Sequence, residues 1–152
     1  SQTNAQSTAT ATATATIITP ISIAKIADMS FGNIAVQTAT GGTVVLAPAG
    51  TRTSTSGVTL PATIGTVTAA SFTVTGNGSY TYAITLPTTV TLTHSGGVQT
   101  MMASSFTSNP SATGTLSSGI QNISVGATLT AAAAQLAGVY TSGNFSVTVN
   151  YN

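Results

Sequence analysis

The sequence predicts an all-β protein built as a β-sandwich, and three observations carry that prediction. Apolar and polar side chains alternate over most of the chain, the period-two signature of half-buried strands. Gly, Pro, Asn and Ser clusters interrupt the alternation often enough to leave about eight short strands joined by turns. No segment sustains a helical period. The alanine-rich stretch 131–137 is short and lies among strand-like sequence, so it reads as a loop or an edge strand. With 152 residues the chain can bury one real core and still carry a short extension.

The first element is the most unusual. From Thr8 to Thr16 threonine alternates with alanine, and the run leads straight into Ile17-Ile18. Nothing nearby turns this strand back, because the first proline is Pro20 and the first glycine is Gly32. A terminal strand without a hairpin partner leaves two rows of backbone donors and acceptors open, and another copy of the same chain is the simplest partner for them. Residues 1–16 are therefore expected to be an N-terminal extension and candidate donor strand, and residues 17–152 the sandwich domain. Residues 7–17 reach about 36 Å at about 3.3 Å per residue, the length of a sandwich. The row Ala9, Ala11, Ala13, Ala15, continued by Ile17 as a larger anchor, is expected to face into the neighbour, with the threonines outward.

The remaining elements follow in order. Residues 17–26 read as a first long strand interrupted by Pro20, residues 29–36 as a second, and residues 43–46 as a third after the Gly41-Gly42 turn. Residues 47–61 read as a loop with one edge strand. Residues 72–74 and 80–86 flank Gly76-Asn77-Gly78, and Asn-Gly between alternating runs predicts a hairpin. Residues 90–94, 101–106, 121–125 and 145–151 complete the set. The last is the cleanest, with Phe145, Val147, Val149 and Tyr151 on one face and Ser146, Thr148 and Asn150 on the other.

Composition narrows the function classes. Lys25, Arg52 and Asp28 are the only charged side chains and give a net charge of +1, so there is no basic face for nucleic acid. So little charge offers scant resistance to self-association, a property suited to a subunit that polymerises. A single carboxylate excludes paired-carboxylate catalysis within one chain. His94 stands at the end of an alternating strand, and no Gly-x-Ser-x-Gly elbow accompanies it. One His, one Asp and no Cys cannot supply a metal's ligands, so neither an enzyme nor a cofactor is expected. Lys25 and Asp28 are close enough in sequence for a surface ion pair worth ~0–1 kcal/mol. No run approaches the ~18–20 apolar residues of a membrane-crossing helix, so a transmembrane protein is not expected. The polar start Ser-Gln-Thr-Asn-Ala-Gln has the style of a terminus left after removal of a signal peptide, which points outside the cell.

Two patches resemble a known family. Ala27-Asp28-Met29-Ser30-Phe31-Gly32 resembles the [Leu/Met]-x-Phe-Gly signature of archaic chaperone–usher pilins, the spore coat protein U-like family. Gly138-Val139-Tyr140, followed by Val147-Thr148-Val149-Asn150-Tyr151, is similar to the Gly-x-Tyr…Val-x-Val-x-Tyr ending of those pilins and of a related uncharacterised family of secreted bacterial β-domains. The resemblance implies an incomplete immunoglobulin-like sandwich that lacks its seventh strand. It implies a homopolymer, a cell-surface pilus or fimbria serving adhesion or biofilm, built by donor-strand exchange. A periplasmic chaperone and an outer-membrane usher would act during assembly. It also places the acceptor groove along Phe145, Val147, Val149 and Tyr151. The chain departs from many such pilins in having no cysteine pair. A secreted adhesion or ligand-binding module is the alternative, and an ice-binding threonine array a weaker one, since the long Thr-x-Thr run occupies one end only.

Overall fold

The computed structural model describes residues 5–152, and Ser1 to Asn4 of the expected extension lie outside the described residues. Fifteen strands and no helix form among the described residues. In chain order they are β1 (Ser22–Ala27), β2 (Ser30–Phe31), β3 (Ala35–Val36), β4 (Gly42–Leu46), β5 (Arg52–Ser56), β6 (Val58–Thr59), β7 (Val67–Thr68) and β8 (Ala70–Thr75). They continue as β9 (Thr81–Thr85), β10 (Thr89–His94), β11 (Thr100–Asn109), β12 (Thr113–Thr115), β13 (Ile120–Ala131), β14 (Tyr140–Ser142) and β15 (Thr148–Tyr151). An eight-stranded antiparallel sheet runs β1-β8-β13-β11-β10-β14, with β4 and β5 continuing from β13. A three-stranded sheet, β12-β9-β15, and two short ribbons, β2-β7 and β3-β6, complete an all-β architecture consistent with a sandwich.

The long strand β13 organises both halves of the interior. Its first half pairs with β8 and its second half with β4, while β11 runs along its other edge. Val125, Gly126 and Ala127 are buried in succession, so the alternation slips where the strand passes from one half to the other. Gly126 is required there, because a Cβ would run into the carbonyl of Leu46 on β4. Ile123 and Val125 join Val74, Tyr82, Leu116, Val147 and Val149 in one core cluster. Ala127, Leu129 and Ala131 join Phe31, Val44, Leu46, Val58 and Met101 in the other. A register jump in β11 between Ser104 and Thr107, with Ser105 at φ 50°, is a bulge that helps the sheet curl.

Four expectations are corrected. The Asn77-Gly78 turn forms, with Tyr80 N–H donating to Asn77 O at 3.1 Å and Gly78 at φ 50°, but it does not make a hairpin. β8 pairs with β1 and β13, whereas β9 pairs with β12 and β15, so the turn carries the chain from one sheet to the other. The first long strand begins at Ser22 rather than at residue 17, past Pro20, which has no N–H for a ladder. The second is broken into β2 and β3, which pair with different partners, and residues 47–61 hold two strands, β5 and β6. Residues 132–137 form a loop, with a turn at Ala133-Ala134.

Candidate functional site

The body is open along one side. Residues 27–36 and residues 135–145 face each other across a groove of about 1280 Å³, and Phe72, Val90, Leu92, Met101, Phe106 and Leu129 form its apolar floor. The strands that border it, β2, β3 and β14, each have one ladder partner among the described residues, and β3 and β14 keep a free backbone edge. A cavity this size exceeds the ~300–1,000 Å³ of most small-molecule pockets. Its rim is almost without charge. Lys25 and Asp28 neutralise each other at 2.9 Å, both well exposed.

The first wall is held from behind. Phe31 turns inward and is buried, while Gly32 at φ 73° has no room for a Cβ between the Ile64 carbonyl and the Val67 side chain. Arg52 Nη1 donates to Phe31 O at 2.7 Å and to Asn33 O at 2.8 Å. Asn33 N–H donates to Ile64 O at 2.8 Å, and Ser30 Oγ donates to Thr66 O at 2.6 Å. One of the two cationic side chains of the protein is thus spent on fixing backbone carbonyls.

The second wall is braced by His94 and Tyr140. His94 Nδ1 accepts the Gly96 N–H at 2.8 Å, which leaves Nε2 to donate to Ala137 O at 2.8 Å. The imidazole meets the Tyr140 ring edge-on at 5.1 Å. Gly138, at φ 140°, is the residue whose Cβ would strike that imidazole. Tyr140 Oη donates to Leu136 O at 2.6 Å and accepts from Gln135 Nε2 at 3.0 Å. Both ring nitrogens of His94 serve backbone groups, so it acts as a strut.

The N-terminal arm contrasts with both walls. Residues 5–21 make no ladder, turn or bend, and residues 5–17, among them Ala9, Ala11, Ala13 and Ala15, are exposed. Ile17 is 94% exposed, whereas Ile18 is half-buried. The arm is anchored at its root. Tyr151 Oη donates to Thr19 O at 2.6 Å and accepts the Asn77 N–H at 2.8 Å, and Thr19 N–H donates to Asn77 Oδ1 at 3.3 Å. Tyr80 packs edge-on against Tyr151 at 5.7 Å.

Of the four residues expected to form the acceptor surface, Phe145 lines the groove and packs against Phe106 at 5.7 Å. Val147 and Val149 are buried in the cluster that contains Tyr82, and Tyr151 stands at the arm's root. Tyr82 itself is fully buried, donates to Gln121 Oε1, and has its phenol pKa pushed up by desolvation. Composition and periodicity did not reveal the walls as walls, although the first resembling patch and the start of the second lie in them. Residues 27–32 belong to one and residues 137–140 to the other.

Residues 21–151 match a family described as a domain of unknown function, DUF4402, and the chain belongs to that family. No curated protein and no solved structure matches the chain.

Proposed function

We propose that this DUF4402 protein is a structural subunit of an extracellular bacterial filament, in which the N-terminal arm of one copy fills the groove of the next. The observation that carries this reading is the coexistence of an exposed, unpaired arm and an open apolar groove bordered by free strand edges. An extended segment laid in such a groove gains main-chain hydrogen bonds on its edges and pockets for alternate side chains. The pilin-like patches in the two walls support the same reading. The body is then an incomplete immunoglobulin-like sandwich, the groove is the place of its missing strand, and a periplasmic chaperone and an outer-membrane usher serve assembly.

Alternation selects the face of the arm. Ile18 is half-buried while Ile17 is bare, so at the root the even-numbered row is the more covered of the two. Ile17 points away and shares its face with Ala9, Ala11, Ala13 and Ala15, a row that ends in a bare isoleucine and calls for cover. Phe145 with Met29, Leu92 and Phe106 is the proposed acceptor surface, and Val147 and Val149 support that wall from the core.

Negative-stain electron microscopy of the purified chain, beside a variant lacking residues 1–16, tests the proposal. Filaments are expected from the full chain alone. A full chain that stays monomeric at every concentration, or a truncated chain that still forms filaments, overturns it. The size of the groove also favours a second reading, a secreted adhesion module that binds an extended ligand. In that case removal of the arm leaves ligand binding intact.

A further inference from the structure

We infer that the junction of Tyr151, Asn77 and Tyr80 is a positioning device that keeps the arm out of the chain's own groove and presents it to a second copy. This inference rests on the assembly reading above. The device is needed for a reason of concentration. A segment tethered to its own binding site experiences an effective concentration of about millimolar, so self-insertion would outcompete a second copy at ordinary protein concentrations unless geometry forbids it. The root at Thr19 is only a few residues from Lys25 and Ala27, where the groove begins, so the tether is short.

The geometry at the root opposes that reversal. To enter its own groove the arm would have to double back near residues 18–21 and lie beside the unpaired edge of β1. Thr19 is held on both its carbonyl and its N–H, by Tyr151 and Asn77. Thr19 precedes Pro20, whose ring disfavours compact backbone conformations at the residue before it. The partners are themselves fixed. Gly76 leaves space for the Tyr151 phenol, where a Cβ would meet Oη, and Gly76 N–H and Gly119 N–H tie this turn to the next by donating to Gly119 O and Gly78 O, each at 2.9 Å. The tyrosine that closes the C-terminal strand therefore sets the direction in which the N-terminal arm leaves.

The chain has no cysteine, so Thr16→Cys with Ser54→Cys, both at exposed positions, gives two unique spin-label sites, one on the arm close to its anchor and one on the body. In dilute monomer the doubly labelled chain should show one narrow distance distribution. Adding Tyr151→Phe, which keeps the ring but loses both hydrogen bonds, should broaden it or add a second distance. Filament yield should fall about fivefold to tenfold, the equivalent of one or so hydrogen bonds, while the thermal midpoint falls by no more than about 2–4 °C. Asn77→Ala, which frees only the Thr19 N–H, should shift both readouts the same way by less, and it replaces Tyr151→Phe should that variant fold poorly. Distances and yields identical to the parent overturn the inference while leaving the assembly reading standing. A parent that never forms filaments overturns the assembly reading, and the distances in monomer still report on the junction.

Discussion

Residues 8–16 and residues 145–151 share the same period-two alternation, yet they meet opposite fates. The second segment buries Val147 and Val149 in the body, and β15 pairs residue for residue with β9, Val149 opposite Ile84. The first is exposed throughout and pairs with nothing among the described residues of its own chain. Side-chain size separates them. A row of alanines removes little apolar area from water at about 25 cal/mol per Å², too little against the roughly 1–2 kcal/mol that ordering each residue costs. Valine and phenylalanine rows remove far more area per residue, and in β15 the ladder to β9 adds its hydrogen bonds. Alternation thus gives a segment the capacity to be a strand, and the bulk of its apolar row decides whether its own body closes on it. A segment of small residues gains only in a groove that already supplies large side chains and free backbone on its borders.

The comparison breaks most visibly at Ala13. A charge placed there would be buried without a partner in the groove of the next copy, at a cost of several kcal/mol, so Ala13→Asp should abolish filaments. Thr12→Asp, on the opposite face, should leave most of the filament yield, and the two variants compared at matched concentration read the face directly. If the order reverses, the threonine row is the inserted one.

The next effect is on stability. Ile123→Ala, within the buried strand β13, should lower unfolding free energy by about 2–5 kcal/mol in denaturant titrations. Ile17→Ala should change the monomer by less than about 0.5 kcal/mol, since its side chain touches solvent. A monomer destabilised by both would show that the arm packs on its own body in solution.

Gly32→Ala should cost about 1–3 kcal/mol, because φ 73° strains any side chain and the added Cβ meets the Ile64 carbonyl. The loss should appear as faster hydrogen exchange in residues 30–36, the first wall, with residues 145–151 unaffected.

The smallest effect is alkaline. Burial holds the Tyr82 phenol neutral and raises its pKa above the ordinary value of about 10. Its contribution to stability is complete below about pH 10. As pH climbs through and above that value the unfolded chain releases the proton first, so stability declines until the folded value is passed. Denaturation midpoints measured from pH 8 to 11 should fall more steeply for the parent than for Tyr82→Phe.

Much of this was legible in the sequence for local reasons. The strict alternation at residues 145–151 and the lack of any turn before Pro20 each depend on neighbours along the chain. What stayed hidden depends on distant pairing. Gly126 and Ala127 break the pattern of β13 because Leu46 of another strand crowds them, so only residues 121–125 of that strand could be read. Asn77-Gly78 announces a turn but not which sheets it joins. The groove has walls from opposite ends of the chain, and β14, three residues long, is placed against β10, where His94 pairs with Tyr140. No local pattern encodes a space.

Arm and groove are different surfaces of one molecule, so any contact between them is heterologous. In the proposed filament each addition would use one arm and one groove and leave one of each unsatisfied. Unless a ring closed, growth would have a direction and no built-in stop. The terminal copy at one end would show an empty apolar groove to water. A second kind of chain, with an arm but no groove or with a groove already filled, would be the natural terminator, and its supply relative to this subunit would set fibre length.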